Sequence, residues 1–183
     1  MSNETFIRFC APTMARLKTG NMFNCTFANR EEMAGELRRL NQRLREKGLR
    51  ILPLRWNEGK ALLYLYRPKM LEEDLSNALS RQLLAECGYS SGNASCCLLQ
   101  LMERLRENEE FPHEIGLFLG YPPEDVRGFI ENRARCSKCT GCWKVYGDRE
   151  KAQQMFSRYK KCSRIYRDQW EKGKSIERLT VTV

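Results

Sequence analysis

The chain has 183 residues, with 32 Lys and Arg against 23 Asp and Glu, nine Cys, one His and 42% hydrophobic residues. That length and apolar content fit one globular domain whose core stands without disulfide staples, and they exclude a disordered tail. No apolar run nears the roughly 20 residues that cross a bilayer, the amino terminus has no secretory-signal pattern, and a lone His argues against His-based triads and multi-His metal sites, so a cytoplasmic protein without membrane spans is expected.

Residues 22–27 form a short apolar run that predicts a first strand. Asn29 followed by Glu32 has the capping-box pattern. Met33, Leu37, Leu40 and Leu44 then recur at helical spacing until Gly48 closes the helix. Residues 49–56 and 60–66 read as strands joined by Asn57-Glu58-Gly59, a hairpin signal. Pro68 ends that segment, and Leu71, Leu75, Ala78, Leu79 and Leu83 predict one amphipathic helix up to Gly88. Residues 1–88 therefore read β-α-β-β-α.

The second half, residues 89–183, is richer in helix. After a polar connector, Ala94, Cys97, Leu98, Leu101, Met102 and Leu105 make a helical stripe. Pro112 with His113 and Glu114 predicts a short helix start. Pro122-Pro123-Glu124-Asp125 opens another helix, burying Val126, Phe129 and Ile130. Residues 143–146 are strand-like, and Gly147-Asp148 caps a helix carrying Ala152, Met155, Phe156 and Tyr159. A last helix carries Ile165, Tyr166, Gln169 and Trp170, and residues 179–183 alternate as a terminal strand would. The expected fold is α+β in a single domain of two halves: a small mixed or antiparallel sheet from the first half and the terminal strands, covered by helices.

Charge is unevenly placed. Residues 1–132 hold 18 Lys and Arg against 18 Asp and Glu, whereas residues 133–178 hold 14 against 5. A basic stretch bearing Trp143, Tyr146, Phe156, Tyr159, Tyr166 and Trp170 points to an anionic partner, nucleic acid or an acidic protein. The alternative is a solvated helical surface whose Lys and Arg stems cover apolar atoms.

Without a signal peptide the nine Cys read as reduced thiols. Cys136-x2-Cys139-x2-Cys142 stands apart, with Cys162 twenty residues further on. Thiolates three residues apart on a tight loop can turn onto one ion, and soft sulfur selects Zn, Fe or an iron–sulfur cluster. The run lacks the ferredoxin spacing of the fourth Cys and its following Pro, and redox-active or merely structural thiols remain alternatives.

Several stretches resemble a bacterial family of unknown function found mainly in anaerobic Gram-positive organisms. They are residues 10–23 (CAPTMARLKTGNMF), 114–132 (EIGLFLGYPPEDVRGFIEN), 142–148 (CWKVYGD) and 175–181 (SIERLTV). The resemblance covers nearly the whole chain and implies no activity. Its loose association with iron-uptake and flavodoxin gene neighbourhoods favours iron.

Other candidate chemistry is thinner. His113 beside Glu114 suits a general base, a haem ligand or a metal ligand, against capping or packing. The stretch around Cys10 and Lys18 suits an anion-receiving loop or a reactive thiol, and has no nucleotide-binding glycine pattern. The resulting expectation is a Zn, Fe or iron–sulfur binding protein using Cys136, Cys139, Cys142 and Cys162, with an iron-linked or regulatory role. A nucleic-acid-binding module and a thiol redox protein are the alternatives, and no reaction or substrate is specified.

Overall fold

The computed structural model describes residues 3–90, 92–107 and 110–182. It is α+β and helix-rich, and it divides into two compact units: Met1–Lys69 with Tyr159–Val183, and Met70–Arg158.

The first unit is built on an antiparallel sheet of β1 (Gly20–Thr26), β2 (Arg50–Asn57) and β3 (Lys60–Tyr66), in the order β1-β3-β2. β3 is central, so its residues 61–65 are all buried. The β2–β3 hairpin turns where the sequence signals it, with Gly59 at a φ of 66° that side-chain-bearing residues rarely adopt. Pro53, which cannot donate a ladder bond, lies on edge strand β2 beside an irregularity between Pro53 and Arg55.

Two helices supply most of the cover. α1 (Asn3–Met14) contributes Phe6, Ile7, Cys10 and Met14, and α2 (Arg30–Arg45) contributes Met33, Leu37, Leu40 and Leu44. The Asn29 side chain accepts from the backbone N–H groups of Glu31 and Glu32, which is the cap that its position predicts. α1 has no counterpart among the expected elements, because its run of Phe, Ile, Cys, Ala and Met lacks a clear polar face. Further cover comes from α9 (Ile176–Leu179), with Ile176 and Leu179 in the same core, and from Tyr166 and Trp170, which pack against it.

Three sequence expectations change. The helix expected from Leu71 to Leu83 is two, α3 (Pro68–Ser76) and α4 (Ala78–Glu86), because Asn77 caps the second by accepting from Leu79 N–H at 2.9 Å. Conversely, the two helices expected after Asp148 are one, α8 (Arg149–Glu171), since no breaker interrupts that segment. The terminal strand is replaced by α9 and by hydrogen bonds that include Val181 N–H to the Met14 carbonyl, so among the described residues this sheet takes its strands from residues 20–66; Val183 lies outside the described residues.

Arg67 ties the first unit together. It is 1% exposed, and its Nε donates to Thr13 O at 2.8 Å, Nη2 to Met14 O and Val181 O at 2.8 Å each, and Nη1 to Lys47 O at 3.2 Å. These carbonyls end α1, follow α2 and belong to the terminal segment. Carbonyls at helix C-termini are orphaned and carry partial negative charge, so they solvate a guanidinium where no carboxylate is needed. Replacing Arg67 by Ala removes the guanidinium donors to all four carbonyls, leaving Met14 O with the Val181 N–H and Thr13 O with the Arg16 N–H. An unfolding midpoint measured in urea for Arg67→Ala is expected to report a loss of about 3 kcal/mol, and Arg67→Lys, lacking the planar fork, recovers little of it.

Candidate functional site

The second unit, Met70–Arg158, holds a cavity. That unit comprises most of α3, then α4, α5 (Ala94–Glu107), α6 (Ile115–Phe118), α7 (Pro123–Glu131), the hairpin of β4 (Cys139–Thr140) and β5 (Lys144–Val145), and the start of α8. α7 packs against α4, α6 and β5. Its amphipathic sequence turns Val126 and Gly128 inward, and with them Asp125.

Asp125 is buried, yet every donor around it comes from one hairpin. Its Oδ2 accepts from Trp143 Nε1 at 2.7 Å, and its Oδ1 accepts from the backbone N–H groups of Tyr146 and Gly147 at 2.7 Å each. The carboxylate thus fixes where β5 and its aromatic side chains sit over α7. Close approach of the backbone finishes the arrangement. A Cβ on Gly128 would lie 2.4 Å from Tyr146 side-chain atoms, and one on Gly141 would lie 2.2 Å from the Phe156 ring.

The chain between α7 and the hairpin is strained. Arg133, Ala134 and Cys136 have φ of 47°, 62° and 57°, each disfavoured by about 1 kcal/mol or more for a residue with a Cβ. Such a run persists only where its surroundings over-determine it. Here Ala134 N–H donates to Phe129 O at 3.0 Å, and Lys144 Nζ donates to Ala134 O at 2.6 Å.

Between hairpin and helices lies a cavity of about 390 Å³. Its walls include Phe111, Ile115, Tyr121, Val126, Phe129 and Trp143, and its rim includes His113, Thr140 and Cys142. Trp143 stacks on Tyr121 with centroids 4.8 Å apart and meets Phe156 edge-on at 4.5 Å. Tyr121 donates to the Cys142 carbonyl at 3.2 Å, and burial, with a smaller push from the Cys142 thiol, raises its phenol to about 12. The phenol stays neutral across the physiological range and serves as a hydrogen-bond donor and wall.

The sequence-derived candidates are scattered. Cys136 and Cys142 are exposed and Cys139 is half-buried, all on the hairpin or its approach. Cys162 is buried on α8, and burial pushes its thiol up to about 11. Among the described residues no three His, Cys, Asp or Glu side chains are gathered closely enough to hold a metal ion. A Zn or iron–sulfur site at Cys136, Cys139 and Cys142 therefore rests on their spacing alone.

Cys10 is fully buried in the first unit; burial raises its thiol strongly, opposed by Lys18, which is itself buried at 8% exposure. Neither residue offers a solvent-facing loop. Glu114 is buried, its carboxylate accepting from Tyr89 Oη at 3.0 Å with Arg104 Nη1 3.7 Å away, while the Arg104 guanidinium sits 4.4 Å over the Tyr89 ring. That carboxylate is engaged in holding the α6 approach. His113, by contrast, is exposed and packs edge-on against Phe129 at 5.1 Å. His113, Asp125 and Cys142 all border the cavity, but the hairpin's donors occupy Asp125, which leaves it no part in orienting the imidazole as a triad would require.

Sequence reasoning missed Asp125 and Tyr121. An acidic residue in a first helical turn reads as a dipole-complementing surface charge, and the only available signal was its apolar neighbourhood before Val126.

With that geometry in hand, comparison with known proteins decides one point. A family described as "Protein of unknown function (DUF3793)" matches residues 6–180. The chain belongs to DUF3793. The match spans both units and the whole cavity, so the cavity lies within the family domain and not on an appendage. No curated protein and no solved structure matches the chain.

Removing the buried carboxylate tests its role directly. Asp125→Ala leaves the Trp143 indole and two backbone N–H groups without their acceptor, so chemical denaturation is expected to show a loss of about 3 kcal/mol. Part of the tryptophan emission is expected to move to the red as Trp143 becomes wetter, and unchanged stability and emission would refute the anchoring role.

Proposed function

We propose that this DUF3793 chain is a small-molecule-binding protein whose ligand occupies the cavity of the Met70–Arg158 unit. The observation that carries the reading is the cavity itself, about 390 Å³ with mostly apolar and aromatic walls and few polar groups at its rim. Ligand sites are characteristically concave, largely apolar and oriented by a small number of polar groups. Binding rather than catalysis is favoured because Asp125 and Lys144, which border the cavity, are already engaged by the hairpin donors and by the Ala134 carbonyl.

Thr140, exposed on β4 at the rim, is the place to close the cavity without touching its anchor. Thr140→Trp is expected to keep the melting temperature and to abolish binding of uncharged aromatic fragments detected by ligand-observed NMR on the unaltered protein. Fragments that bind both proteins equally, or neither, would dismiss the cavity as the site.

A second reading concerns α8. Arg149, Lys151, Arg158, Lys160, Lys161, Arg164 and Arg167 are all exposed on it, against Glu150, Asp168 and Glu171. This concentration favours an anionic partner, and nucleic acid and acidic proteins share the required charge. For DNA or RNA, binding at low salt is expected to weaken steeply as salt rises. Absence of binding to either at low ionic strength removes nucleic acid from consideration.

A further inference from the structure

Resting on the cavity being the binding site, we infer that its ligand is an uncharged, planar heteroaromatic molecule. The walls set the shape. Tyr121, Phe129, Phe111 and Trp143 border the space, and His113 stands edge-on to Phe129, so ring faces and edges dominate the lining. Flat π-systems are the ligands that such walls contact most fully, through offset or edge-to-face packing.

The charges select neutrality. Asp125 and Lys144 are the ionic side chains, besides the imidazole of His113, that border the cavity among the described residues, one of each sign. Both are already engaged, Asp125 by three N–H donors of the hairpin and Lys144 by the Ala134 carbonyl. An ionic ligand would give up its hydration among apolar walls and meet no uncommitted counter-charge.

The rim selects a heteroatom. The His113 imidazole and the Thr140 hydroxyl make no side-chain hydrogen bond among the described residues, and both stand at the edge of the aromatic space. Imidazole and hydroxyl each supply a donor and an acceptor, matched by a ring nitrogen or a ring carbonyl at the ligand's outer edge.

The test uses three two-ring probes of similar size on the full chain: quinoline, which is neutral near pH 7.5, 2-naphthoate and 2-naphthylmethylammonium. Calorimetric or NMR titration is expected to give quinoline a Kd of roughly 1 mM or tighter, as a fragment of that size allows, and at least tenfold weaker binding of both ions. His113→Phe retains a ring against Phe129 but lacks the nitrogens, and is expected to weaken quinoline severalfold with the melting temperature unchanged. If either ion binds as well as quinoline, or His113→Phe leaves quinoline unaffected, the ligand class is wrong while the cavity stands, provided that Thr140→Trp removes the binding. If none of the three probes distinguishes the unaltered protein from Thr140→Trp, the cavity reading fails as well.

Discussion

A buried carboxylate held by N–H donors organises the candidate site. Asp125 draws three N–H donors from the β4–β5 hairpin onto α7, and the aromatic wall follows from that attachment. Trp143 is positioned by its indole nitrogen, Tyr121 stacks on Trp143, and Phe156 closes against it edge-on. A two-residue strand pair has too little ladder to hold itself. The carboxylate and the tight approach of Tyr146 to Gly128 supply what the ladder lacks.

Arg67 applies the same solution with opposite sign in the other unit. Its guanidinium is neutralised by carbonyls at the ends of helices, as Asp125 is neutralised by N–H groups of a hairpin. For Arg67 the bonded groups are main-chain carbonyls, and for Asp125 they are two main-chain N–H groups and the Trp143 indole. Arg67 thereby constrains the end of α1, the segment after α2 and the terminal segment at once, and Asp125 holds Trp143, Tyr146 and Gly147 to α7.

The cysteines contribute by position more than by number. Cys10, Cys25, Cys97 and Cys162 are buried, and burial raises each thiol; they behave as small core residues. Cys136, Cys139 and Cys142 lie where the chain leaves α7 in a strained conformation and turns through the hairpin. Of these, Cys142 borders the cavity. Asp125 and Trp143, 18 apart in sequence, are linked by one hydrogen bond that ties the hairpin to α7.

Local signals determined much of this protein by themselves. The Asn29 cap, the Met33-Leu37-Leu40-Leu44 stripe and the Asn57-Glu58-Gly59 turn specify α2 and the β2–β3 hairpin because each depends only on neighbouring residues. The concentration of cations in residues 133–178 was equally legible. What the tertiary structure alone decided involves partners far apart in the chain. The final segment is held by Met14 and Arg67 instead of a sheet, and β1 pairs with β3 and not with β2. Above all, Asp125 reads as a surface charge until the fold brings Trp143, Tyr146 and Gly147 to it, because burial of a carboxylate depends on donors that periodicity within a single helix cannot reveal.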